Sequence, residues 1–257
     1  MNSRVATNSD FLITEDNYKI AYDHYVNGND KVIAIVHGFY NSKESELLIG
    51  LAKHLLSSGY DVMVFDLRGH GRSPGYFTWT SKEGKDLETV LNYLHGKYDK
   101  VGIIGFSMGG SISINVLAND KFKVDSLICV SAPSDPDKVD YKWWKLDLEN
   151  DIYYSLLTSN GRKGKGVRPG WPWHKKAKPI DSISKLRIPV LFIHGDKDWV
   201  IGKWHSERLY DKANTRKSMK VISGGSHAEY LLRHKKEAFL KEVDQWFTAT
   251  LQRKEEV

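Results

Sequence analysis

The hydrophobic pattern of the chain alternates between two periods. Short, nearly continuous apolar runs at residues 31–36, 61–65, 101–104, 124–130, 188–193 and 217–222 read as strands. Between them, apolar residues recur at helical spacing. Leu47, Leu48, Leu51 and Leu55 form one face of a helix over residues 44–58, which Gly59 stops. Leu87, Val90, Leu91 and Leu94 do the same over residues 82–97, with Ser81 placed to cap the helix. Further helices are expected over residues 203–213 and 231–251. Upstream, residues 11–13 and 20–22 are two short β-like runs around the polar turn Glu15-Asp16-Asn17, which suits an antiparallel pair at a sheet edge. The pattern predicts an α/β protein: a mostly parallel central sheet of about eight strands with helices on both faces. Such sheets bind ligands beyond the carboxyl ends of their strands. His37, Asp66, Ser107, Asp198 and His227 all fall just past predicted strand ends.

The stretch over residues 100–119 organises the rest. Its apolar run is followed at once by Gly105-Phe106-Ser107-Met108-Gly109, and then by Ile112, Val116 and Leu117 at near-helical spacing. A serine flanked by glycines between a strand and a helix sits on a sharp, strained turn. Its hydroxyl stands clear of the sheet, and the next amide, that of Met108, opens toward the same space. The positive end of the helix would favour negative charge developing there.

Composition narrows the classes. The chain has 257 residues, 40% of them hydrophobic and 27% charged, with no internal repeat, which suits a soluble globular protein with a sizeable core. Cys129 is the one cysteine, so no intramolecular disulfide can form, and its place in an apolar run makes it a core residue. The N-terminal stretch has no apolar core of a secretory signal, and no run approaches the roughly 18 apolar residues of a membrane helix. The expectation is a cytoplasmic protein without integral membrane association. Net charge is +6. No cluster of His, Cys and carboxylates has metal-ligand spacing, and no dinucleotide-type glycine motif opens a helix, so neither a metal nor a cofactor is expected.

A nucleophilic serine needs a base, and the base needs an orienting carboxylate. Candidates follow the last two strands: Asp196 and Asp198 in Gly195-Asp196-Lys197-Asp198-Trp199-Val200, and His227 in Gly224-Gly225-Ser226-His227. Together with His37-Gly38-Phe39 and Asp66-Leu67-Arg68-Gly69-His70-Gly71-Arg72-Ser73, these pieces resemble the α/β-hydrolase fold superfamily, in particular its small serine esterases and monoacylglycerol-lipase-like hydrolases. The resemblance implies Ser107 as nucleophile, His227 as general base and Asp198, rather than Asp196, as the acid. Asp135 is a fallback, since some hydrolases place the acid after the preceding strand. It also implies an oxyanion hole made of the Phe39 and Met108 amides. Asp196 then reads as a loop-structuring carboxylate, His37 and His194 as loop braces, and Asp66 and Arg68 as a scaffold pair. The final motif departs slightly from the family's usual Gly-His. A serine nucleophile argues against the dehalogenases and epoxide hydrolases of the superfamily, in which an aspartate attacks.

Residues 133–180 interrupt the alternation where the family inserts a cap, so the chain reads as one domain, residues 1–257, with that insertion. Trp143, Trp144, Trp171 and Trp173, with Tyr141, Tyr153 and Tyr154, suit either the walls of an acyl pocket or packing of the cap on the body. Arg162, Lys163, Lys165, Arg168, Lys175, Lys176 and Lys178 make a glycine-rich basic stretch, read as a solvated loop able to move. Its charge could also draw anionic substrates or a lipid surface, and a nucleic-acid role is disfavoured. The implied activity is serine carboxylester hydrolysis of a small-molecule ester with an apolar acyl group of short to medium length. The alternatives are a thioesterase, amidase or C–C hydrolase with the same residues, or a non-catalytic ligand-binding protein. The oligomeric state stays open.

Overall fold

The computed structural model describes residues 6–145, 148–162, 166–171 and 176–252. Its centre is an eight-stranded sheet: β1 Ala6–Ile13, β2 Lys19–Val26, β3 Lys31–Val36, β4 Asp61–Phe65, β5 Lys100–Phe106, β6 Ser126–Val130, β7 Val190–Gly195 and β8 Lys217–Ile222. The strand order is β1-β2-β4-β3-β5-β6-β7-β8. β1 and β2 pair antiparallel, as does β2 with β4, and every other pair is parallel. The predicted α/β sheet is therefore present, with its antiparallel pair at one edge.

Side-chain alternation splits the core in two. Val32, Ala34 and Val36 of β3 face one cluster, with Leu87 and Val90 of helix α2 (Glu83–Leu94) and Ile112 of helix α3 (Met108–Leu117). Ile33 and Ile35 face the other, with Leu48, Leu51 and Leu55 of helix α1 (Glu46–Ser57) and Phe239, Val243 and Phe247 of the C-terminal helix Lys236–Thr250. Because both faces are covered, the central strands are apolar throughout, which is why they read as unbroken runs. Chain order reverses at β3: β4 lies on one side of it and β5 on the other. The crevice that this reversal opens at the strand ends is where ligands bind in such sheets.

Several local expectations are corrected. β1 begins five residues before its predicted start, because Thr7 to Asp10 are exposed on an edge strand and carry no apolar alternation. Ser81 does not cap α2. Instead Lys82 N donates to Thr78 Oγ1 at 3.0 Å and Thr78 N to Glu83 Oε1 at 2.6 Å, since the turn through Trp79 and Thr80 brings Thr78 to the helix end. The last helix is broken at Lys235, between Leu231–His234 and Lys236–Thr250. Asp66 and Arg68 are both fully buried, but they do not bond to each other. Arg68 donates from Nε and Nη2 to Asp86 Oδ1 at 2.9 and 2.7 Å and from Nη1 to Asp16 Oδ2 at 2.8 Å. Burial opposes its charge, but the bonds to Asp16 and Asp86 outweigh that and hold its pKa above the ordinary value. Asp66 accepts from the amides of Lys43 and Arg72 at 2.7 and 2.8 Å. Burial pushes its pKa up to about 6, although those amides pull the other way.

The described part of the basic stretch is anchored. Arg168 N donates to Gly69 O at 2.7 Å, Phe77 N to Arg168 O at 2.8 Å, and the Arg168 guanidinium reaches the carbonyls of Gly71, Ser73 and Gly75. Lys178 bonds Asp135 at 3.0 Å and Lys176 bonds Asp137 at 3.0 Å. These carbonyls and carboxylates satisfy donors that the sequence suggested were free in solvent. Lys163, Lys165 and Lys175 lie outside the described residues, as does the side chain of Arg162.

Truncating Arg68 leaves two carboxylates without their cation, one of them fully buried. Arg68→Ala should cost about 3 kcal/mol or more, read from urea unfolding at neutral pH. Arg68 holds Asp16 below its ordinary value of 3.8. That share of stability is complete above the ordinary value and is lost as the pH falls. The gap between wild type and Arg68→Ala should therefore narrow in acid.

Candidate active site

Ser107 ends the turn between β5 and α3 with φ 48° and ψ −114°, a conformation costing about 1–3 kcal/mol for a non-glycine residue. Its amide is tied to Val130 O at 2.7 Å. Two glycines make the turn possible. A β-carbon on Gly109 would meet Val36 O at 2.2 Å, and one on Gly105 would meet Gly109 O at 2.7 Å. The first turn of α3 therefore lies directly on the end of β3 and the His37-Gly38-Phe39 turn that follows. Met108, at the first position of α3, has no intrahelical acceptor for its amide. Gly38, Phe39, Ser107 and Met108 line one cavity of about 500 Å³.

His227 lines the same cavity from the loop after β8. Its Nδ1 donates to Asp198 Oδ2 at 2.8 Å. The other oxygen of Asp198 accepts from the amides of Ile201 and Val200 at 2.8 and 3.0 Å. Burial pushes the Asp198 pKa up, but the charge of His227 and the bonds from His194 and His227 prevail and hold it below the usual carboxylate range. When His227 is neutral, with Nδ1–H committed to Asp198, Nε2 carries the lone pair.

The remaining candidates have other partners. Asp196 Oδ1 accepts from Gly224 N at 2.7 Å, which ties the loops after β7 and β8 together. Asp135 pairs with Lys178 and accepts from Asp137 N, away from His227. His37 Nε2 accepts from Leu67 N at 3.0 Å, so Nδ1 is the protonated nitrogen and donates to Gly38 O at 2.7 Å. His194 Nε2 lies 2.9 Å from Ile201 O and 3.3 Å from Asp198 Oδ2. Both are acceptors, so Nε2 carries the hydrogen, and Nδ1 accepts from Ser206 Oγ at 2.8 Å. His194 thus braces Asp198 from behind. Cys129 is buried, and its thiol pKa is pushed above the ordinary value.

The cavity walls differ from the expectation. Trp144 and Trp171 are 79% and 69% exposed, the side chain of Trp143 is not described, and Trp173 lies outside the described residues. Tyr141, Ile152 and Leu156 do come from the segment between β6 and β7. The larger aromatic surface comes from Phe39, Phe77, Trp79 and Trp199, which sit in loops of the body. Aromatic residues placed in otherwise polar loops were the available signal for them. Backbone strain gathers here too. Of the eight described non-glycine residues with positive φ, Tyr40, Trp79, Thr80 and Ser107 line the cavity. Ala228 and Ser131, joined by a 3.1 Å bond, stand behind His227. Such clustering is typical of functional sites. Among the described residues no helix is long and apolar enough to cross a membrane, and no group of side chains could hold a metal ion.

Comparisons with known proteins agree with the fold. A family model described as alpha/beta hydrolase fold matches residues 31–150. An alpha/beta hydrolase domain-containing protein of Arabidopsis thaliana, WAV2, is 28% identical over 170 residues, covering 61% of this chain and 49% of that protein. The chain spans about half to two thirds of the length of the curated relatives it matches. Among solved structures, an esterase of Pyrococcus furiosus superposes with a TM-score of 0.77 at 22% identity, covering 96% of this chain and 94% of that one. A bromoperoxidase of Bacillus anthracis does so with a TM-score of 0.74 at 19% identity, covering 94% and 100%. With its sheet order, its serine turn and these matches, the chain has the alpha/beta hydrolase fold.

Proposed function

We propose that the protein is a serine hydrolase of carboxylic esters. The observation that carries this reading is the 2.8 Å bond from His227 to the buried Asp198, on the wall of the cavity that also exposes the strained Ser107. In this reading Ser107 Oγ attacks the ester carbonyl carbon while His227 Nε2 takes its proton. The oxyanion of the tetrahedral intermediate accepts hydrogen bonds from the Phe39 and Met108 amides. The C–O bond to the alcohol then breaks, and the alcohol leaves with the proton held by His227. Water, deprotonated by His227, attacks the acyl-enzyme, and Ser107 recovers its proton as the carboxylic acid departs. No electron changes hands, so no redox cofactor is needed. Asp198 fixes the imidazole orientation and stabilises the imidazolium formed in each half.

Residues 133–180 act in this reading as a cap over a single domain, supported by the wall positions of Tyr141, Ile152 and Leu156. The substrate is a small molecule with an apolar acyl group of short to medium length. A cavity of about 500 Å³ is in the lower half of the range of small-molecule sites. The relative named an esterase is consistent with the chemistry.

A fluorophosphonate probe should label the wild type at Ser107 and leave Ser107→Ala unlabelled. Labelling at another residue, or none, rejects the nucleophile. With p-nitrophenyl butyrate, Asp198→Asn should lower kcat by about 10³–10⁴-fold. Asp196→Asn should stay within about tenfold, because an amide oxygen can still accept from Gly224 N. The reverse ranking would reassign the acid. Across p-nitrophenyl esters, kcat/KM should peak at short or medium chains, and a clear preference for long chains rejects the acyl assignment.

A further inference from the structure

Glu229 stands two residues beyond His227 and performs no step above. It is 4% exposed and lines the cavity. Oε1 accepts from Asn41 Nδ2 at 2.6 Å. Asn41 is itself fully buried, and its own oxygen accepts from Ser42 N at 2.9 Å. This clasp fixes the plane of the carboxylate. The second oxygen, Oε2, has no hydrogen-bond partner among the described residues. It lies beside the reacting centre: the position a β-carbon on Gly38 would take is 3.7 Å from Oε2 and 3.4 Å from Ser107 Cβ.

A carboxylate on a mostly apolar wall is costly unless a donor or a countercharge meets it. Lys176, the other fixed charge on that wall, is already matched by Asp137 at 3.0 Å. The rest of the wall is rich in aromatic faces, including Phe39, Phe77, Trp199 and Tyr230. One unmatched carboxylate among aromatic rings is the chemistry that recognises an organic cation. An anionic ligand would be repelled. A neutral donor such as a hydroxyl would satisfy Oε2 but gain nothing from the ring faces.

We propose that this cavity selects esters that carry an ammonium group, held by Glu229 Oε2 and the aromatic walls beside the scissile bond. The proposal rests on the ester reading above and names its substrate class. It also resolves a conflict within that reading. With the subsite empty, the negative charge of Glu229 opposes the oxyanion that forms on the Phe39 and Met108 amides. A bound ammonium cancels this repulsion most strongly when the oxyanion is present. The cation is thus favoured in the transition state as well as in binding.

The test compares butyrylcholine with its neutral isostere, 3,3-dimethylbutyl butyrate. Wild type should show kcat/KM at least tenfold higher for the cationic ester. Glu229→Gln, which keeps an acceptor for Asn41, should bring the two within threefold. The readout is a ratio, so a general loss of activity in the variant cancels. A wild-type ratio near or below one overturns the proposal without any variant, and so does a preference that survives in Glu229→Gln. Calorimetry of butyrylcholine with Ser107→Ala separates the two readings. Binding there, with neither ester hydrolysed by wild type, keeps the ammonium subsite and sinks the esterase. Hydrolysis of both esters at equal rates sinks the subsite and leaves the esterase standing.

Discussion

The site depends on how closely the backbone after β5 approaches the end of β3. With no side chain at Gly109, the first turn of α3 rests on the carbonyls of Val36 and His37. That contact puts the Phe39 turn, the Met108 amide and the Ser107 side chain on one wall. A β-carbon there would push α3 away and separate the two amides proposed to hold the oxyanion. The strain in Ser107 is offset by the sheet on either side, where Phe106 is in register with Val130 and Val36 with Gly105. The regular part of the fold thus maintains a conformation that an isolated strand-turn-helix segment would relax.

Around this contact, neighbouring carboxylates differ in charge state and duty because their partners differ. Asp198 sits among two amides and two imidazoles and is held below the carboxylate range. Asp66 is no less buried but meets two amides and no bonded cation, and its pKa rises to about 6. Asp196 receives one amide and stitches two loops. Asp16 and Asp86 share one arginine across the body of the fold. Burial raises the cost of each negative charge and the donors offset it to different extents: at Asp86 burial still pushes the pKa up to about 7 against the bonds from Arg68.

The histidines follow the same logic. His37 and His194 are buried with both ring nitrogens engaged, so each holds a loop in place. His227 differs in lying on the cavity wall with Nδ1 directed at Asp198. Three His residues near strand ends therefore separate by environment, not by residue type. His194 links the two groups, since it supports the carboxylate that orients His227.

By itself the sequence determined the alternation of strands and helices, the edge pair, the strained serine turn and a short set of polar candidates past the strand ends. Those features are local. Continuous apolar runs, helical spacing and glycine placement are written in residues close along the chain. The family resemblance favours Asp198 over Asp196, and the fold shows the bond from Asp198 to His227; tertiary structure alone decided the rest: that Asp66 and Arg68 have separate partners, that Trp144 and Trp171 face outward, and that Glu229 meets Asn41 beside Ser107. Each of these depends on residues far apart in the chain that meet at the sheet's carboxyl edge or in the loops that cover it. Loops carry no periodic signal, so the identity of a buried polar group's partner becomes visible only once they are folded against one another.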